Sequence, residues 1–236
     1  MTLRSGLFRF LRRFLMRCSV DLVKVGPRPP WPEDRSRFTY QRLFNEFDIP
    51  TGSTVLDLGS GAYPFPPATI LCDRFMDTTR HRSEKLVVDT RPFMVCDVMN
   101  LPLPDKSIDF LYCSHVLEHV EDPLRACSEI TRVGKRGYIE VPAFAKDMLF
   151  SWADEMHRWH IVAIDKKMVF FEYSRRQRQG IGSDVWRNAI FAKSHHPMQD
   201  AYYNNPDIFN VMFNWSGGFE CIVYRLDGST QCEVLS

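Results

Sequence analysis

The sequence predicts an α/β chain organised on a doubly wound, mostly parallel sheet. Two observations carry this. Short apolar runs recur with helix-length segments between them, and successive runs end in an acid or a glycine pair. A sheet of that kind places its ligands at the carboxyl ends of the strands, so those strand ends are where candidate functional residues are sought.

Taken in order, the chain opens on a basic amphipathic helix. Met1 to Cys18 holds Arg4, Arg9, Arg12, Arg13 and Arg17 and no acid, while Leu3, Leu7, Phe10, Leu11 and Phe14 share one helical face. Three readings stand open: packing on its own domain, docking on an anionic membrane surface, or a cleaved organelle presequence. Gly26-Pro27-Arg28-Pro29-Pro30-Trp31-Pro32 is too rich in proline for a helix or a central strand and reads as a stiff connector. Residues 1–32 are thus an N-terminal attachment to a single domain, 33–236.

Within that domain Thr54 to Leu58 is a buried strand closing on Gly59-Ser60-Gly61. Ala68 to Asp73 and Phe93 to Asp97 are strands that each end in an acid. Ser107 to Cys113 is a fourth, Pro123 to Arg132 a helix, and Gly137 to Pro142 a fifth strand. Past Pro142 the alternation loosens. His160–Ile164 and Met168–Tyr173 read as a hairpin around Asp165-Lys166-Lys167, and Phe219–Leu226 as a late strand. The core is therefore 50–142, and 143–236 is the region expected to cover the substrate.

Composition narrows the classes. With 236 residues and 44% hydrophobic content the chain can bury a sizeable core, and no apolar run approaches the roughly 18 residues of a membrane span. The net charge of +1, with basic residues clustered only at the terminus, argues against nucleic acid as a partner. Seven cysteines without a C-x-x-C pair, with Cys72, Cys96 and Cys113 inside apolar runs, read as free thiols in a reducing, cytoplasmic compartment.

Asp57, Asp73 and Asp97 end three consecutive strands. Asp57 stands two residues before Gly59, where it would repel a dinucleotide pyrophosphate, and Pro64 occupies the place of the third glycine of the dinucleotide fingerprint. A cationic cofactor without phosphate, S-adenosylmethionine, suits that acid better. Asp73 can accept hydrogen bonds from ribose hydroxyls, and Asp97 from an adenine amino group with Val98 against the ring.

These residues, with Ile108-Asp109-Phe110-Leu111-Tyr112-Cys113-Ser114-His115-Val116-Leu117-Glu118-His119-Val120 and Ile130-Thr131-Arg132-Val133-Gly134, resemble the ordered motifs of class I S-adenosylmethionine-dependent methyltransferases over roughly 50–142. The resemblance implies a Rossmann-like sheet of the seven-stranded type. It also implies that Gly59, Ser60 and Gly61 cradle the methionine part and that Ser114 and His115 line the site. Two departures stand out. Only 14 residues separate Gly59 from Asp73, with Pro64, Pro66 and Pro67 between them, so the first helix must be short or distorted. Arg74 to Pro92 is a long insertion, readable as a lid or substrate loop.

Methyl transfer to a hydroxyl needs its proton removed, and His115, His157 and His160 are the candidate bases. His115-x-x-Glu118-His119 places three ligand-type side chains at helical spacing and also matches a zinc-peptidase signature. Quinone-pathway O-methyltransferases carry a related metal-binding string, but its first acid is His115 here, so the expectation is a helix brace and no metal. The expected activity is O-methylation of a small-molecule or glycan hydroxyl. The alternatives are metal-assisted methylation of a lipid-linked quinone precursor and a non-catalytic cofactor-binding module.

Overall fold

The computed structural model describes residues 37–79, 84–150, 156–178 and 205–236, together with 14, 26–27, 82, 194–195, 198 and 201–202. Apart from Phe14, the basic N-terminal helix lies outside the described residues, as does the connector beyond Pro27. Gly26–Pro27 forms a two-residue antiparallel pairing with Ser194–His195. Among the described residues no helix is long and apolar enough to cross a membrane.

The central sheet contains β1 (Val55–Leu58), β2 (Ile70–Asp73), β3 (Phe93–Val95), β4 (Phe110–Ser114), β5 (Arg136–Pro142) and β8 (Asn210–Ser216), in the order β8-β5-β4-β1-β2-β3. β1 to β5 are parallel, and β8 is antiparallel to β5. The order reverses between β1 and β4, which opens a crevice at their carboxyl ends. Every residue of β1 and β4 is buried, as expected of central strands covered on both faces. Gly137 lets β5 lie close to β4, because a Cβ there would run into the Leu111 carbonyl.

Side-chain alternation distributes each strand between two cores. Leu56 and Leu58 join one cluster with Ile130, Val133 and Ile139. Val55 joins the other, with Phe38, Phe65, Phe110, Tyr112 and Tyr138, where Phe65 and Tyr112 stack at 4.1 Å. Phe38 comes from α1 (Arg37–Phe44). α2 (Pro123–Val133) starts at Asp122, whose side chain accepts from the Arg125 N–H, with Pro123 at its first position.

Three expectations are corrected. No helix follows the glycine turn, because the prolines of 64–67 turn the chain straight into β2. The central sheet has six described strands and not seven, because the late strand β9 (Phe219–Tyr224) leaves it. β9 pairs in parallel with β7 (Lys167–Glu172), which forms the expected hairpin with β6 (Trp159–Ile164), and β10 (Thr230–Leu235) completes a second sheet, β10-β9-β7-β6. The break is at Gly217 and Gly218, whose φ values of 76° and 147° turn the chain out of β8. β9 and β10 pack on α2. Finally, Cys72 and Cys96 are joined in a disulfide and are not free thiols, because β2 and β3 lie side by side and bring the two residues into reach. Such bonds are rare in a reducing compartment.

Candidate functional site

The carboxyl ends of β1 to β5 surround a cavity of about 950 Å³. Gly59, Gly61, Asp73, Asp97, Val98, Ser114, His115 and His157, all singled out in the sequence, line it. Asp57, Ser60 and His160 do not. Asp57 shares the face of Val55, so it points under the sheet, where its Oδ2 accepts from the Phe65 N–H at 2.7 Å and holds the proline turn. Ser60 is fully buried. His160 sits on the face of β6 opposite to Trp159 and Ile161, with its ring 4.9 Å from Phe144 and 5.6 Å from Phe171, and burial lowers its pKa against a smaller opposing pull from Asp147.

Gly59 and Gly61 adopt φ of 80° and 56°, and a Cβ on Gly59 would collide with Val116. At the far wall of the turn, the Asp73 carboxylate accepts from the Gly61 N–H at 3.1 Å, the Phe75 N–H at 2.9 Å and the Arg82 guanidinium at 3.0 Å. Arg82 is held in turn by the carbonyls of Phe75 and Asp77. Asp97 accepts from the Met99 N–H at 2.9 Å and pairs with Arg74 at 3.2 Å. The insertion after β2 therefore supplies a cation to each of the two acids. Nothing in the sequence signals that pairing.

The opposite wall is built from histidines and buried acids. His115 is not on a helix: its φ is 58°, and only a single 3-10 turn, Leu117–His119, follows. The sharp turn ends β4 and points the imidazole between two carboxylates, with Nδ1 3.2 Å from Glu118 Oε1 and Nε2 3.4 Å from Glu140 Oε1. Glu140 also accepts from Tyr40 at 2.5 Å, from Gln41 at 3.0 Å and from Tyr138. Burial would raise both acids, but His115 together with His119 and His157 holds Glu118 at about 2, and His115 with Tyr138 and Tyr40 holds Glu140 at about 2. Burial and the Glu140 charge push the Tyr138 hydroxyl well up. An acid inside the otherwise apolar run 137–142 is a legible signal that a search for strand-end acids passes over.

His157 Nδ1 lies 2.8 Å from Asp147 Oδ1, and Tyr173 donates to Asp147 Oδ2 at 3.1 Å. Burial lowers the His157 pKa, and the hydrogen bond to Asp147 with the charge of Glu118 more than reverses it, so it ends above the ordinary value. His119 and His157 meet edge to face at 4.8 Å.

A doubly wound parallel sheet with an antiparallel edge strand, and a cavity at the carboxyl ends of its strands, is the class of open α/β domain that binds ligands at that crevice. Residues 68–139 match the family model described as a methyltransferase domain. The matched stretch runs from just before β2 into β5, and it supports a class I S-adenosylmethionine-dependent methyltransferase with S-adenosylmethionine as its cofactor. No curated protein matches the chain. Among solved structures it is similar to a Haloferax volcanii methyltransferase candidate in complex with the Trm112 methyltransferase activator (15% identity, 78% of this chain and 91% of that one, TM-score 0.48). It is also similar to the PH0226 protein of Pyrococcus horikoshii (17%, 61% and 78%, 0.40). A methyltransferase candidate from an antibiotic biosynthesis pathway of Anabaena variabilis is similar at 16% identity and TM-score 0.39, over 50% of this chain and 50% of that one. This chain thus spans half the length of that protein.

The residues present fit the cofactor in kind. The positive-φ glycine turn, with Gly59 and Gly61 on the cavity wall, admits a close approach to backbone. One guanidinium, that of Arg82, stands against the carboxylate suited to a ribose diol.

Proposed function

We propose that this domain transfers a methyl group to a hydroxyl of a small molecule or glycan. In this reading Gly59 to Gly61 hold the methionine part of the cofactor, Asp73 takes the ribose once Arg82 withdraws, and Asp97 with Val98 takes the adenine. The chemistry the bound cofactor supplies is a methyl carbon activated by a sulfonium. What this chain adds is position and a proton acceptor. In this reading His115 keeps its Nδ1–H on Glu118 Oε1 at 3.2 Å, and Nε2, at the longer 3.4 Å from Glu140, turns to the acceptor and takes its hydroxyl proton; Glu118 and Glu140 then stabilise the imidazolium that results. His157, held by Asp147, stands behind it as a positioning residue.

The observation that carries the reading is His115 itself, clamped between two buried carboxylates on the wall of the cavity that Asp73 and Asp97 also line. The test is methyl transfer from labelled cofactor to a panel of hydroxyl acceptors, in wild type and His115→Gln. A kcat lower by about 10²- to 10⁴-fold, with cofactor affinity unchanged by calorimetry, is the expected result. Equal turnover in the variant, or transfer to amine acceptors alone, would overturn it.

The same proposal extends to location. The basic, aromatic-bearing segment 1–18 docks the protein on an anionic membrane surface. Co-sedimentation with anionic vesicles that falls as salt is raised, and that is lost on deleting 1–18, is expected. Absence of co-sedimentation at low salt would refute it.

A further inference from the structure

The histidine wall contains a second constellation, which shares Glu118 and His157 with the site of proton removal and adds His119 to them. Glu118, His119 and His157 each place a ligand-type atom within 4.8 Å of the others, and all three line the cavity. Glu118 and His119 come from the turn after β4, whereas His157 arrives from the segment leading into β6, so tertiary folding assembles the set.

We propose that Glu118, His119 and His157 form a binding site for one divalent transition-metal ion. Two features of the hydrogen bonding prepare it. His119 has Nδ1 3.2 Å from the Met156 carbonyl, and His157 has Nδ1 2.8 Å from Asp147 Oδ1. An N–H on each Nδ1 fixes the tautomer in which Nε2 carries the lone pair, and a carboxylate behind a histidine is the outer-shell arrangement that orients metal-ligating imidazoles. Asp147 is in turn steadied by Tyr173.

The third ligand is prepared differently. Glu118 is 1% exposed; its Oε1 lies 3.8 Å from His119 Nε2 and is also engaged by His115, and its Oε2 is buried with no hydrogen-bond partner among the described residues. A carboxylate buried this deeply with one oxygen left without a donor is costly, and a cation held between Glu118 and the two histidines relieves that cost.

The donor chemistry selects the ion. Two imidazole nitrogens and one carboxylate oxygen suit zinc, cobalt, iron or manganese in the divalent state. Magnesium and calcium prefer all-oxygen shells. Three protein ligands leave coordination positions turned to the cavity, where an oxygen ligand can bind and have its pKa lowered. That last use rests on the methyl-transfer reading; the binding of the ion does not.

The experiment uses the full chain with Cys232→Ser, because Cys232 is an exposed free thiol that could take up metal on its own. After treatment with a chelator, the protein is titrated with cobalt(II), followed by its visible d–d absorption, and with zinc and magnesium by calorimetry. One equivalent of cobalt with a spectrum of low coordination number, displaced by zinc and not by millimolar magnesium, is the expected result. His119→Gln and His157→Gln should each weaken binding by about a hundredfold or more, and Asp147→Asn by about ten- to a hundredfold. His160→Asn, outside the cavity, should leave it unchanged. Cooperative melting of each variant establishes that it is folded, and His119→Gln stands as the test should His157→Gln not fold. No stoichiometric binding by folded protein, or binding that survives in folded His119→Gln or His157→Gln, would overturn the proposal. Because no cofactor is present, failure here leaves the methyl-transfer reading untouched.

Discussion

Replacing Arg82 by alanine should tighten binding of S-adenosylmethionine. The Arg82 and Asp73 side chains are 11% and 12% exposed and meet at 3.0 Å, so solvent screens the pair weakly. A hydrogen bond to a charged group contributes about 1.5–3 kcal/mol. A ribose diol that takes its place recovers part of that, which leaves a net cost to cofactor binding of about 1–2 kcal/mol. Removing Arg82 should therefore lower Kd by about five- to thirtyfold. The Phe75 and Gly61 N–H groups still hold the Asp73 carboxylate in the variant, so the acid stays in position. Calorimetric titration of wild type, Arg82→Ala and Asp73→Ala with S-adenosylmethionine and its demethylated product reads the effect, with Asp73→Ala expected to abolish binding. An unchanged or weaker Kd in folded Arg82→Ala would refute the reasoning and make Arg82 a support of the bound cofactor.

Further outcomes follow from other contacts. Gly59→Ala should destabilise the domain by about 1–2 kcal/mol or more, since a Cβ there meets Val116 at a positive φ. In chemical denaturation, adding Val116→Ala should restore part of that loss but not the backbone strain. Reducing the Cys72–Cys96 bond, or replacing both residues by serine, should cost about 2–4 kcal/mol for a loop of sequence separation 24. Thiol titration alongside melting curves checks this, and a full count of free thiols in native, unreduced protein would refute it. Glu129 is held below its ordinary value of 4.5 by Arg132, against burial and helped by the Leu101 N–H. A lowered folded-state pKa gives stability that is present above 4.5 and lost as pH falls through the folded value. Glu129→Gln should thus be less stable than wild type by about 1 kcal/mol at pH 7, with the gap closing in acid; a gap independent of pH would refute the assignment.

Much of the architecture is local and was legible. Apolar runs ended by acids or glycines mark the strands, the strand ends marked Asp73, Asp97 and His115 as residues of one cavity, and His157 was expected from the later segment that covers those ends. Glu140 was legible in principle, because an acid in the middle of a buried apolar strand needs partners. Arg74 and Arg82 were not, since a polar insertion carries no periodicity that says which of its cations returns to which acid.

The sequence by itself determined the alternation of strand and helix and the chemistry available at the strand ends, because both depend on neighbours a few residues apart. The tertiary structure alone decided the rest. Asp57 and His160 have the right chemistry but sit on strand faces turned from the cavity, since burial on both sides of the sheet hides which face is which. The departure of β9 into a second sheet, the Cys72–Cys96 bond, and the meeting of Glu118 and His119 with His157 each join chain segments distant in sequence. Contacts of that range depend on how packed surfaces match, and no local pattern encodes that match.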